Sequence, residues 1–139
     1  MRQYFCSVPV STRGPALYPI THEVERMVAE SGVRDGLVTC LIRHTSASLV
    51  IQENADPDVL RDLSDFLDRI VPRGRGLYRH DAEGPDDMPS HIRSMLTQTT
   101  LGIPLRRGHL RLGRWQGIYV FEHRDEPHER EVAVHIIGQ

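Results

Sequence analysis

The stretch from His44 to Asp56 constrains the fold of this chain more than any other part of the sequence. In an extended segment the side chains alternate between two faces, so His44, Ser46 and Ser48 would share one face. An imidazole and two hydroxyls on one face are typical of a strand that is half-exposed to water or lines a site. The Asp56-Pro57 pair then predicts a helix start, because aspartate caps a first turn and proline fits its first position. We therefore expect a polar strand that leads directly into a helix.

The remaining patterns indicate further strands and helices on either side of this stretch. Gln3–Val10 alternates weakly and predicts a first strand. Thr21, as an N-cap, and apolar residues at helical spacing predict a helix that Gly32 ends. Leu37–Ile42 is a continuous apolar run that predicts a buried strand, and four more strands are predicted near the C-terminus. We expect one α+β domain over residues 1–139, with a mostly antiparallel or mixed β-sheet and helices on one face.

Composition excludes several classes of function. Apolar residues make up 39% of the chain and charged residues 26%, which is typical of globular proteins. The net charge of −2 provides no broad basic surface for nucleic acid. No apolar run approaches the length of a membrane span, and the first residues do not form a signal peptide. We therefore expect a cytoplasmic protein without nucleic-acid or membrane partners.

A long irregular connection, residues 73–88, separates the helix that begins at Pro57 from the next predicted element. Loops of this length without secondary structure are usually functional or disordered. This one gathers potential ligands, which indicates an ordered site loop: His80, Asp81, Glu83, Asp86 and Asp87. Pro89 is then predicted to start a short helix that carries His91.

Glu122 is the one carboxylate on an otherwise apolar strand face. Alternation along residues 117–122 places it on the same side as Ile118 and Val120. A carboxylate in that position should be solvated at the strand end or paired with a cation or a metal ion.

Several motifs occur together in this order: His44-Thr45-Ser46-Ala47-Ser48, Glu53-Asn54-Ala55-Asp56-Pro57, residues 80–92, Trp115-Gln116-Gly117-Ile118 and Glu122-His123-Arg124. A chain with these motifs closely resembles the YjbQ family. Members of that family are described as secondary thiamine-phosphate synthases. The resemblance implies a small α+β fold, a homotrimer and a weak synthase activity. That reaction joins a hydroxymethylpyrimidine pyrophosphate to a thiazole phosphate and releases pyrophosphate. Apolar residues on both faces of the predicted C-terminal strands also favour burial between subunits.

The resemblance carries roles over to individual residues. It implies a divalent metal ion, zinc or magnesium, held by His44, His80 and His91, since three imidazoles with an open position form a zinc-type site. The alternative is an anion pocket in which the imidazoles donate hydrogen bonds. The implied catalytic residues are Glu122, Glu53 and His80. The implied substrate-binding residues are Thr45, Ser46, Ser48, Asn54, Asp87, Trp115 and Gln116.

Two details of this assignment stay open. Arg79 or Arg114 could add bidentate contacts to a phosphate, although Arg114 stands where the family usually has threonine. Trp115 could stack on the pyrimidine ring or serve as a core aromatic at a sheet edge.

Three functions remain compatible with such a cluster of polar groups. A synthase needs the charge on its pyrophosphate leaving group neutralised, while the thiazole nitrogen needs only orientation. A metal-dependent phosphate-ester hydrolase would use Glu122 or Glu53 to activate a bound water. A non-catalytic trimer that binds a metabolite or a metal would use the same groups without turnover.

Overall fold

The chain forms eight strands and three helices, and a computed structural model describes all residues, 1–139. None of the helices is long and apolar enough to cross a membrane. The helices are α1 (Thr21–Ser31), α2 (Pro57–Ile70) and α3 (Asp87–Leu96). The strands are β1 (Arg2–Arg13), β2 (Ala16–Pro19), β3 (Gly36–Ile42), β4 (Ala47–Glu53), β5 (Thr100–Arg106), β6 (His109–Leu110), β7 (Gln116–Glu122) and β8 (Pro127–Gly138).

The strands form two antiparallel sheets. One has five strands in the order β1-β8-β3-β5-β6, and the other has three in the order β2-β7-β4. A single cluster of 19 buried apolar residues draws on both sheets and on α1. The predicted α+β class with antiparallel strands is therefore confirmed. The division into two sheets was not visible in the sequence, because alternation shows which face of a strand is apolar and not which strand pairs with it.

The prediction that residues 44–46 belong to a polar strand is wrong. β3 ends at Ile42 in the five-stranded sheet, whereas β4 begins at Ala47 in the three-stranded sheet. Residues 43–46 carry the chain from one sheet to the other: the Arg43 N–H still donates to the Glu131 carbonyl at 3.1 Å, and residues 44–46 leave the ladder of hydrogen bonds. Of the three predicted polar side chains only Ser48 lies on a strand, and it is fully buried.

Helix α1 follows its prediction except at its first residue. Ile20 is the N-cap, while the Thr21 hydroxyl accepts a hydrogen bond of 2.9 Å from the N–H of Ile118 and so ties the helix to β7. Gly32 ends the helix as predicted, with a φ of 71° in the left-handed region that glycine adopts without strain.

Helix α2 begins where the sequence predicted. The Asp56 side chain accepts a hydrogen bond of 2.9 Å from the N–H of Asp58, and proline occupies the first turn. The apolar face of the helix is only partly covered, because Leu67 is buried whereas Phe66 and Ile70 are 49% and 47% exposed. The helix therefore leaves apolar surface at the exterior of the single chain.

Candidate metal centre

His80, Asp87 and His91 come together in one group, and their potential ligand atoms all lie within 4.8 Å of one another. His80 belongs to the connection between α2 and α3. Helix α3 begins at Asp87, two residues before the start predicted at Pro89. Because residues four apart lie on the same helix face, Asp87 and His91 both point toward His80. The helix start and the preceding loop thus supply all three side chains.

The imidazole nitrogens of this group face carboxylate oxygens. His80 Nε2 lies 2.5 Å from Asp87 Oδ2 and 3.2 Å from Glu83 Oε2. His91 Nε2 lies 3.5 Å from the same Asp87 oxygen. His91 Nδ1 is 2.9 Å from the Thr45 carbonyl oxygen, which can only accept, so Nδ1 carries the proton. In the neutral ring the lone pair of His91 therefore lies on Nε2, as is usual for metal-binding histidines.

Arg124 fixes the carboxylates of this group from the far side. Its Nε donates to Asp86 Oδ2 at 2.8 Å, its Nη1 to Asp87 Oδ1 at 2.9 Å and its Nη2 to the Glu83 carbonyl at 3.0 Å. Arg124 belongs to the Glu122-His123-Arg124 motif, but the sequence assigned it no role. Arginines are common at strand ends. The adjacent carboxylates of Asp86 and Asp87 were the one indication in the sequence that a cation would lie next to them.

The surroundings keep Asp87 ionised. Burial alone would raise the pKa of this carboxyl, but the hydrogen bond from His80 and the charges of His91 and Arg124 outweigh burial and lower the pKa. One oxygen is engaged with Arg124, and the other faces the two imidazoles. Asp87 is therefore an anion at neutral pH that is available on one side to a proton or a metal ion.

The donor set fits a transition metal better than magnesium. Nitrogen and oxygen ligands of zinc lie at 2.0–2.2 Å from the ion, which puts tetrahedral donors roughly 3.3 Å apart. The 3.5 Å between His91 Nε2 and Asp87 Oδ2 is close to that spacing. The shorter contact of His80 with Asp87 is a hydrogen bond, whose proton a cation would replace. Two imidazoles favour zinc or a similar ion, whereas magnesium prefers oxygen ligands.

His44 does not join this group within the chain. Its Nε2 accepts a hydrogen bond of 2.9 Å from the N–H of Glu131, at the crossing between the two sheets. Burial and the charge of Arg130 lower the pKa of His44. Within one chain the candidate centre therefore groups two histidines with Asp87, which the resemblance implies as a substrate-binding residue, and His44 is not part of it.

Glu122 lies in a separate, closed cluster with Arg130, and this confirms that it is paired with a cation. Arg130 Nε and Nη2 donate to its two oxygens at 2.7 and 2.5 Å, and the Thr12 hydroxyl also donates. The same arginine reaches the Ser46 hydroxyl at 2.9 Å. Burial raises the pKa of Glu122, but these hydrogen bonds outweigh burial and lower the pKa. The side chain is completely buried, which places it in the interior of the protein.

Ser48 lies in a second buried cluster. Its Oγ is 2.9 Å from His123 Nε2 and accepts a hydrogen bond of 2.6 Å from the Thr97 hydroxyl. Burial and the charge of Arg93 lower the pKa of His123 to about 3, so this imidazole is neutral. Neither Ser48 nor His123 is exposed, and their contacts link β4 to the residue after β7 and to the C-cap of α3.

The remaining predicted residues lie at the other end of the same strand pair. Glu53 pairs with Gln116 at one end of the β4–β7 ladder, and Ala47 pairs with Glu122 at the other. Seven residues of strand place these ends about 20 Å apart. The predicted site residues thus form two groups within one chain. Thr45, whose carbonyl binds His91, belongs to the group with the metal ligands.

The second group borders a cleft of its own. A cavity of about 670 Å³ is lined by residues that include Asn54, Arg114 and Gln116. Trp115 is 54% exposed, so it is not part of the core of the single chain. The Arg114 guanidinium lies over its ring at 4.7 Å from the centroid. Arg114 therefore covers one face of the indole, and any stacking of a substrate on Trp115 would use the other face.

Comparisons with known proteins agree over almost the whole chain. Residues 7–139 match the family model described as "UPF0047 protein YjbQ-like". A UPF0047 protein of Synechocystis sp. is 51% identical over 99% of this chain and 94% of its own length. A UPF0047/YjbQ-family protein of Clostridium acetobutylicum has a solved structure with a TM-score of 0.87 and 40% identity, covering 95% of this chain and 99% of that one. A YbjQ-like protein of unknown function from Sulfolobus solfataricus has a TM-score of 0.90 at 25% identity, with 99% of each chain covered.

Proposed function

Because the chain belongs to the UPF0047 YjbQ-like family, we propose that it is a metal-dependent enzyme that couples a hydroxymethylpyrimidine pyrophosphate to a thiazole phosphate. The observation that carries this proposal is the His80–Asp87–His91 group, of which His80 lines a cleft of about 530 Å³. Clefts of that size accommodate small molecules. A cation-binding group beside such a cleft suits a substrate whose leaving group is a pyrophosphate.

The division of labour follows from the chemistry of the reaction. When bound to His80, Asp87 and His91, a divalent ion supplies a Lewis acid that neutralises charge on the leaving pyrophosphate. Arg124 holds Asp87 ionised and oriented, and the Thr45 carbonyl fixes the His91 ring. The attacking thiazole nitrogen carries no proton to be removed, so the reaction needs no general base. The closed environment of Glu122 is consistent with such a mechanism.

The activity can be tested with purified protein, zinc, the pyrimidine pyrophosphate and the thiazole phosphate. We expect slow formation of thiamine phosphate. The rate of His80→Ala is expected to be at least about tenfold lower than that of the wild type, because removal of a metal-site partner has an effect of this size. The matched control is His22→Ala, whose side chain is 95% exposed on α1. Wild-type protein that forms no thiamine phosphate under any divalent metal would contradict the synthase.

One observation supports a hydrolase as the second candidate. The Glu83 carboxylate is 64% exposed, and its Oε2 lies 3.2 Å from His80 Nε2. An exposed carboxylate beside a metal centre can accept a proton from an attacking water. A hydrolase would release phosphate or pyrophosphate at the same rate with and without the thiazole partner. A synthase would release pyrophosphate only when that partner is present, and a binding protein would do neither.

We also propose that the protein assembles as a homotrimer. The outer face of the five-stranded sheet leaves Phe5, Leu37 and Leu41 exposed by 73%, 43% and 44%, and subunit contacts commonly cover such apolar side chains. Contacts between subunits could also bring together the two polar groups that lie about 20 Å apart in one chain. Light scattering at micromolar concentration should report three times the monomer mass of 15.9 kDa. A monomer mass would contradict the assembly.

A further inference from the structure

We propose that residues 74–76, Gly-Arg-Gly, form a subsite for a phosphate or pyrophosphate group next to the candidate metal centre. This subsite deepens the proposed function, on which it rests for the identity of the substrate. It assigns the anion a position in the chain and names Arg75, which no motif had singled out, as the residue that binds it.

The first support is the shape of the cleft. Arg75 and His80 both line the same cavity of about 530 Å³, together with Gly74 and Gly76. An anion bound at Arg75 would therefore lie in the cavity that His80 also lines. That arrangement suits a ligand with two linked phosphates, one at the arginine and one at the metal centre.

The second support is that the charge of Arg75 has no partner within the chain. Its guanidinium makes no hydrogen bond or ion pair with a protein group, whereas the neighbouring Arg73 binds Asp125 through two contacts of 2.7 and 2.8 Å. Arg124, on the other side of the loop, is likewise engaged with carboxylates. Arg75 is thus left free for an external anion, and guanidinium groups bind phosphate oxygens in bidentate fashion.

The third support is the backbone around Arg75. Gly76 has a φ of 77°, and nothing lies within 4 Å of the position that a Cβ would take. The N–H groups of residues 74–76 donate to no acceptor in the chain. Successive free N–H groups in a turn can form an anion-binding concavity. The Tyr78 hydroxyl donates to the Pro72 carbonyl at 2.7 Å and closes the base of this loop.

A carboxylate in the cleft sets a condition on binding. Asp81 also lines the cavity and repels an anion. A divalent ion held by His80, Asp87 and His91 would offset that repulsion. Pyrophosphate is therefore expected to bind more tightly in the presence of the metal, and an Asp81→Asn variant is expected to bind it more tightly with or without metal.

Titration calorimetry with inorganic pyrophosphate tests the subsite directly on protein loaded with one equivalent of zinc. Arg75→Gln is expected to weaken pyrophosphate binding by about 10-fold or more, the usual loss for a charged hydrogen-bond partner, without changing zinc affinity. Arg26→Gln, which removes one exposed charge from α1, is the matched control and should bind as the wild type does. Circular dichroism checks that each variant is folded.

The outcomes separate the subsite from the proposed reaction, because neither organic substrate is used. If Arg75→Gln weakens pyrophosphate binding but the protein shows no synthase activity, the subsite is upheld and the proposed reaction is overturned. Equal pyrophosphate affinity in the wild type and Arg75→Gln overturns the subsite, even if thiamine phosphate is formed. Absence of pyrophosphate binding to the wild type and to Asp81→Asn also overturns it.

Discussion

Changing His91 to alanine is expected to lower the affinity of the protein for zinc by at least about a hundredfold, since loss of an outer partner of a metal site alone costs 10–100-fold. His91 would supply one of three ligands, and its Nε2 lies 3.5 Å from Asp87 Oδ2. The fold should survive the change, because the imidazole makes a single hydrogen bond, to the Thr45 carbonyl, and packs at the surface of α3.

Calorimetric titration of metal-free protein with zinc measures this loss. Thermal unfolding with and without zinc gives a second readout, since an ion that binds only the folded state raises the melting temperature. His22→Ala again serves as the control for the removal of one imidazole. Unchanged zinc affinity in His91→Ala would show that the His80–Asp87–His91 group is not the metal site.

The largest effect on stability is expected from Glu122→Gln. The substitution leaves the Arg130 guanidinium charged, buried and without its counter-ion, and breaking a buried pair in this way costs about 3–5 kcal/mol of unfolding free energy. The Arg130 side chain is only 4% exposed, so water cannot take over the role of the carboxylate. Glu126→Gln removes a carboxylate from the exposed turn that follows β7 and should leave stability nearly unchanged.

Urea denaturation compares the two variants with the wild type. Replacing both partners, as Glu122→Leu with Arg130→Met, should recover much of the loss because no unpaired charge then remains buried. Equal midpoints for Glu122→Gln and the wild type would mean that the pair contributes nothing to the fold.

The pH dependence of stability offers an independent check on Glu122. Its hydrogen bonds hold its pKa in the folded protein below the ordinary value of about 4.3 expected in the unfolded chain. Between these two values the unfolded chain binds more protons than the folded protein, so stability falls as the pH falls through that window. The contribution is fully present above the unfolded pKa. Glu122→Gln should therefore lose less stability than the wild type on acidification.

Local features of the fold were predictable from the sequence, and features that depend on distant pairing were not. The start of α2 at Asp56-Pro57 and the end of α1 at Gly32 follow from interactions within a few residues. His44 lies outside the candidate centre because residues 43–46 cross from one sheet to the other. That crossing arises because β3 and β4 pair with strands of different sheets. No short window of sequence encodes such long-range pairing.

The candidate site shows the same division. The family resemblance implied His80 and His91, two of the three grouped side chains, as metal ligands, whereas sequence spacing alone gave no such indication. Arg124 contacts Asp86 and Asp87 from almost 40 positions further along the chain. The role proposed for Arg75 depends on its having no partner, whereas Arg73 is paired with Asp125. Such roles depend on which partners remain free after folding, and that is known only from the folded structure.

The end of β7 couples the interior of the protein to the candidate centre through two consecutive peptide units. Glu122 Oε2 accepts the backbone N–H of Arg124 at 3.1 Å, and the Arg124 side chain in turn holds Asp87. The buried Glu122–Arg130 pair is thereby joined to the Asp87 carboxylate by a continuous series of hydrogen bonds. If a divalent ion binds at the candidate centre, any effect of this pair on ion affinity must equal the effect of the ion on the stability of the pair, because thermodynamic coupling is reciprocal. We therefore expect a substitution in the smaller sheet, at Glu122, to change zinc affinity as well as stability.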